Sequence, residues 1–89
     1  MAFQARNLSV IAYANGFTLW HYTTPDLAAD VDTTGYFDHA TEMLRVGDMI
    51  LANVDTDSDP GAGIFLVNAN SGGSVDVADM TSVGASDTD

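Results

Sequence analysis

The chain has 89 residues, of which 46% are hydrophobic and 17% charged, with 13 acids against 2 bases and no cysteine. Those figures fit one small soluble domain and leave no room for a second. At 9.4 kDa, surface scaling gives about 5,000 Å² accessible when folded against roughly 13,600 Å² unfolded, so about 63% of the surface is buried around a thin core.

The charge balance excludes several roles. Arg6 and Arg45 are the only strong bases, so no basic patch can neutralise a run of phosphates, which argues against direct nucleic-acid or anionic-membrane binding. A formal net charge of −11 favours solubility and discourages contact with other acidic surfaces. The acids read as a solvated face. A DNA mimic would need its carboxylates in rigid rows, whereas Asp55, Asp57 and Asp59 sit in a turn-like stretch and Asp87 and Asp89 in the tail. Without cysteine there is no disulfide framework, thiol nucleophile or thiolate metal site. The first ten residues lack a basic region followed by a long apolar stretch, so no secretory signal is expected. The apolar runs at residues 10–14 and 64–67 fall far short of the roughly 20 residues that a membrane-spanning helix requires.

In chain order, residues 1–7 read as an N-terminal arm. Residues 8–14 and 17–22 are rich in β-branched and aromatic residues and flank Asn15-Gly16, the dipeptide favoured in two-residue hairpin turns that need positive φ at both positions. In the second strand Phe17, Leu19 and His21 share one face, and Thr18, Trp20 and Tyr22 share the other; a strand apolar on both faces is central in a sandwich or covered by another chain. Residues 23–34 carry Pro25, several aspartates and threonine pairs, the composition of an extended connector with a short helical turn at 26–30.

Thr33 or Thr34 then caps an expected helix over residues 35–45, in which Tyr36, Phe37, Ala40, Met43 and Leu44 form one stripe and Gly47 supplies the stop. Residues 48–78 read as a β-meander: strands at 48–54, 63–69 and 74–78, joined by the acidic loop 55–61 and the glycine-rich turn 70–73. Residues 80–89 form a small, polar, acidic tail, expected to be ordered only where a neighbour covers it.

The search for chemistry is largely negative. Asp55, Asp57 and Asp59 alternate like the start of a calcium loop, but Pro60 stands where glycine is wanted and Leu66 where a bidentate glutamate is wanted. His21 and His39 have no sequence-local third ligand for a metal. The serines lack a nucleophile-elbow context, and Gly61-Ala62-Gly63 precedes a strand, not the helix N-terminus that binds phosphate. We therefore expect no catalytic, cofactor or metal residues.

What stands out is the aromatic content of the first hairpin, with Tyr13, Phe17, Trp20 and Tyr22 on adjacent strands. Some of these fill the sheet core; in a chain with so thin a core, others are expected at an interface, where Trp, Tyr and Arg are common anchors. The interface candidates are Phe3 and Arg6 in the arm, with Tyr13, Trp20 and Tyr22 in the hairpin. Truncating Trp20 is expected to weaken assembly more than folding.

The segments FQARNLSVIAYANGFTLWHYTTPD, TTGYFDHATEMLRVGDMILANVDTD and GIFLVNANSGGSVDVADM cover nearly all of the chain, and together they resemble the head spike base proteins of gene transfer agents and related tailed phages. The resemblance implies a non-enzymatic virion subunit. It would form a homo-oligomer, a pentameric ring, on a capsid vertex. Its partners would be the major capsid protein and a head spike fibre protein that meets the recipient cell. Its place would be the outer capsid surface, after assembly in the bacterial cytoplasm.

The expected fold is mainly β, a small antiparallel sandwich or barrel of about five strands with one short α-helix, in a single domain. The expected function is the base of a capsid head spike that links the vertex to a fibre used in host-cell attachment. Alternatives are another head-decoration or head-tail connector protein, an acidic DNA-mimic inhibitor, and a carbohydrate-binding fibre module using Trp20 and Tyr22 as a stacking platform.

Overall fold

Six strands form in chain order: β1 Leu8–Ala14, β2 Phe17–Thr23, β3 Met49–Val54, β4 Gly61–Ser71, β5 Ser74–Val77 and β6 Thr81–Val83. They are seen in a computed structural model that describes residues 3–84. The chain is mainly β, with one helical piece, α1 Ala28–Val31, and two 3-10 turns at Ala5–Asn7 and Asp38–Ala40. The strands make one sheet in the order β1-β2-β3-β4-β5, and β6 also pairs with β4. The layer facing this sheet is irregular chain from the crossover between β2 and β3.

Glycines set the tight turns. Ala14 pairs with Phe17 across Asn15-Gly16, but only Gly16 has positive φ, at 99°. That is the sign pattern of a type II turn, not of the doubly positive turn expected from the dipeptide; a bulge between Val10 and Ala12 adds twist to the hairpin. The doubly positive pattern appears instead at Gly72 and Gly73, with φ of 62° and 81°, between the paired residues Ser71 and Ser74.

The sheet departs from an all-antiparallel arrangement at its centre. β2 and β3 run parallel, with Trp20 opposite Ile50 and Tyr22 opposite Ala52. A parallel pair needs a crossover of a dozen or more residues, and the chain between Thr23 and Met49 provides it. That crossover lies over one face of the sheet. Trp20 and Tyr22 of β2, Ile50, Ala52 and Val54 of β3, Phe65 and Val67 of β4, and Val75 and Val77 of β5 meet Val31, Phe37, Ala40 and Leu44 from the crossover in a single buried cluster.

The helix expected over residues 35–45 is replaced by turns, of which only Asp38–Ala40 is a 3-10 segment. Its apolar stripe does bury Phe37, Ala40 and Leu44, but its backbone groups are drawn to other partners. Asn70 donates its side-chain amide to the Thr41 and Leu44 carbonyls. The Arg45 N–H, which a helix would direct to Thr41, donates to Asp48 Oδ2 at 3.1 Å. Side chains fixed by the sheet thus compete successfully with the helical ladder. The one α-helical piece is α1, close to the short turn expected at 26–30.

The segment expected as a tail is partly strand. Thr81–Val83 pairs antiparallel with residues 62–64 of β4, so the cover comes from the chain itself. Asp87 and Asp89 lie outside the described residues.

Candidate interaction surface

Of the five interface candidates, two line the chain's own core. Trp20 is 6% exposed and Tyr22 fully buried, because the parity of β2 turns both toward the crossover. The Trp20 indole donates from Nε1 to Asp48 Oδ2 at 3.0 Å, and Asp48 also accepts from the Thr18 N–H at 2.9 Å. Neither ring offers a face to a second molecule, so the sugar-stacking platform is absent and these two positions are corrected to core.

Phe3 closes the same core from the arm. Its ring stacks on Tyr22 at 5.5 Å between centroids and meets Phe37 edge-on at 5.4 Å. A chain of hydrogen bonds runs beneath it. The Gln4 N–H donates to the Tyr22 hydroxyl at 3.1 Å, Tyr22 lies 2.9 Å from the Tyr36 hydroxyl, and Tyr36 donates to Asp26 Oδ2 at 2.7 Å. Burial pushes the Tyr36 hydroxyl well above the ordinary tyrosine range. This network seats the arm and the buried Asp26; Tyr36 also lines an open hollow with Asp30, Thr33 and Gly35, but its hydroxyl is already committed to Asp26.

The remaining two candidates are on the surface. Arg6 is exposed in the 3-10 turn, and Tyr13 is 81% exposed near the hairpin tip, at the lip of a hollow it shares with Phe17, Arg45 and Val46.

A broader surface was less visible in the sequence. The face of the sheet turned away from the crossover carries two successive cross-strand rows, Leu19–Met49–Leu66 and His21–Leu51–Ile64–Thr81, followed by Thr23–Asn53–Ala62–Val83. Not one of these residues is acidic or strongly basic, in a chain with 13 acids. Solvent-facing strand positions are usually polar, yet Leu66 is 44% exposed and Val83 56%. Two shallow depressions mark the face: one holds His21, Leu51 and Val83, and the other Met49, Ile64 and Leu66 with Asp79 at its edge. In the first, His21 Nε2 lies 2.8 Å from Asn53 Oδ1. The signal was present as apolar residues on both parities of residues 49–54 and 61–67; the antiparallel β3–β4 pairing aligns these, and the parallel β2–β3 pairing adds Leu19, His21 and Thr23.

The metal candidates do not assemble. Among the described residues no group of three or more His, Cys, Asp or Glu side chains could hold a metal ion, and Asp55, Asp57 and Asp59 follow the β3–β4 loop without converging. Asp30, Asp32, Asp76 and Asp79 gather elsewhere, where burial and then the Asp79 carboxylate raise the Asp32 pKa. No helix of the described residues is long and apolar enough to cross a membrane. The chain matches no family model, no curated protein and no solved structure.

Proposed function

We propose that the chain is a non-catalytic assembly subunit, the base of a head spike that joins a virion capsid to a fibre used in host-cell attachment. The observation that carries this reading is the outer sheet face: three uncharged rows rich in leucine, isoleucine, methionine and valine, left open on a chain of net charge −11. Exposed apolar patches on small proteins mark sites where another protein docks. Interfaces of this kind combine an apolar centre with a polar rim, here Asn53, Thr23 and Asp79. The identity of the partners, capsid protein and spike fibre, comes from the segment resemblance, which spans most of the chain. The thin core favours the same role, since a subunit of this size gains stability from its neighbours.

The test is purification of particles from cells expressing a tagged chain, beside a Leu51→Lys/Leu66→Lys variant whose fold is checked by circular dichroism. The tagged chain is expected in particles in a fixed ratio to capsid protein, and the variant is expected in the soluble fraction. A chain absent from particles would overturn the reading.

A further inference from the structure

The two ends of the sheet are finished differently. At one end the free edge of β5 is closed by carboxylates: the Val75 N–H donates to Asp38 Oδ1 at 3.0 Å and the Val77 N–H to Asp76 Oδ1 at 3.0 Å. Residues two apart in a strand direct their N–H groups to the same side, so both donors that a new strand would use are already taken.

At the other end β1 pairs only with β2 among the described residues; the Leu8 N–H donates to the Ala5 carbonyl, and no other turn, loop or side-chain hydrogen bond reaches residues 9–14. Sheets usually guard such an edge with charge, proline, cover or a bulge. Residues 8–14, LSVIAYA, contain no charge and no proline; their single guard is the bulge at Ile11. From Ser9 onward the side chains along this edge are open as well, with Ile11 50% exposed.

Charge decides what can cover it. All 13 acids lie at Asp26 or beyond, so the first hairpin can approach another copy of this acidic chain without bringing carboxylates together. Head-to-tail addition would set β1 against β5, which is closed and acidic, and β6, which offers only three residues. We propose that β1 pairs antiparallel with β1 of a second copy across a two-fold axis between Ile11 and Ala12, joining two sheets into one. The bulge reverses which edge the later N–H groups of β1 face, so the outward groups are those of Val10 and Tyr13; Val10 of each copy then faces Tyr13 of the other. This goes beyond the spike-base reading and does not rest on it: the pairing is of the free chain in solution, whereas the ring that the resemblance implies forms on a capsid vertex.

Light scattering behind a sizing column tests it on the purified full chain over a wide concentration range. The expected mass at high concentration is twice 9.4 kDa. Ile11→Lys places two like charges side by side across the axis and is expected to weaken the dimer by about tenfold or more. Tyr13→Lys is expected to weaken it too, and at 81% exposure it leaves the protomer folded. Leu27→Lys, just before α1 and 49% exposed, is expected to change nothing. Facing Cα atoms about 4.5–5.5 Å apart fall within the roughly 4.4–6.8 Å span of a disulfide, so the oxidised double variant Val10→Cys/Tyr13→Cys is expected to run as a covalent dimer. A monomer at every concentration, a five-fold ring, a dimer indifferent to both lysine variants, or an absent cross-link would each overturn the two-fold pairing. None of these outcomes bears on whether the chain co-purifies with particles.

Discussion

The Trp20 indole donates to Asp48 Oδ2 at 3.0 Å, and this contact ties the first hairpin to the end of the crossover that follows it. Asp48 is only 2% exposed and also accepts from the Thr18 and Arg45 backbone N–H groups. One carboxylate therefore satisfies three donors from two parts of the chain. Asp48→Ala leaves all three without an acceptor and is expected to cost about 3–5 kcal/mol in urea unfolding. Trp20→Ala is expected to cost about as much through the cavity it leaves, so its effect falls on folding. A near-normal melt for Trp20→Ala would return that residue to the surface.

Tyr36 presents a second buried relay. Its hydroxyl donates to Asp26 at 2.7 Å and lies 2.9 Å from the Tyr22 hydroxyl. Tyr36→Phe keeps the ring in the aromatic cluster and removes both contacts, for an expected loss of about 1–3 kcal/mol. Chemical denaturation of the variant with the slope unchanged is the check.

Asp32 gives the pH dependence a sign. Its pKa in the folded chain is raised above the ordinary value of 3.8, first by burial and then by Asp79. The native state therefore holds this proton at pH values where the unfolded chain has released it, and stability falls as pH rises from 3.8 through the raised value. Asp32→Asn is expected to remove that fall and to stabilise the neutral-pH protein by about 0.5 kcal/mol, the scale of a solvent-screened pair. Thermal melts across acidic to neutral pH, wild type beside variant, measure the difference.

Gly63 lets β6 lie against β4. A Cβ there would stand 2.6 Å from the Thr81 carbonyl oxygen and closer still to the Met80 side chain. Met80 can swing away, but the backbone of β6 cannot without losing its pairing. Gly63→Ala is thus expected to detach Thr81–Val83, seen as faster amide exchange at Ser82 and Val83 with the remaining strands protected.

Much of the fold was legible where the cause is local. The first two strands, the β4–β5 turn at Gly72-Gly73 and the buried positions Phe37, Ala40 and Leu44 all follow from periodicity and turn chemistry within a few residues. The helix failed because Asn70 and Asp48, distant in sequence from part of the segment they cap, claim its backbone groups. Among the interface candidates, Tyr13 and Arg6 are on the surface. Trp20 and Tyr22 are not, because a strand apolar on both sides does not say by itself which side meets the crossover.

The sequence by itself determined a single acidic β domain without a basic patch or thiol chemistry, because composition and alternation act on every residue independently of its distant neighbours. Only the tertiary structure decided the parallel β2–β3 pairing, the uncharged outer rows it extends, and the contrast between an open β1 and a β5 closed by Asp38 and Asp76. Each of these depends on which strand lies beside which, and strand order is settled by burying one face of the sheet under residues 24–48, a choice made by the whole chain at once.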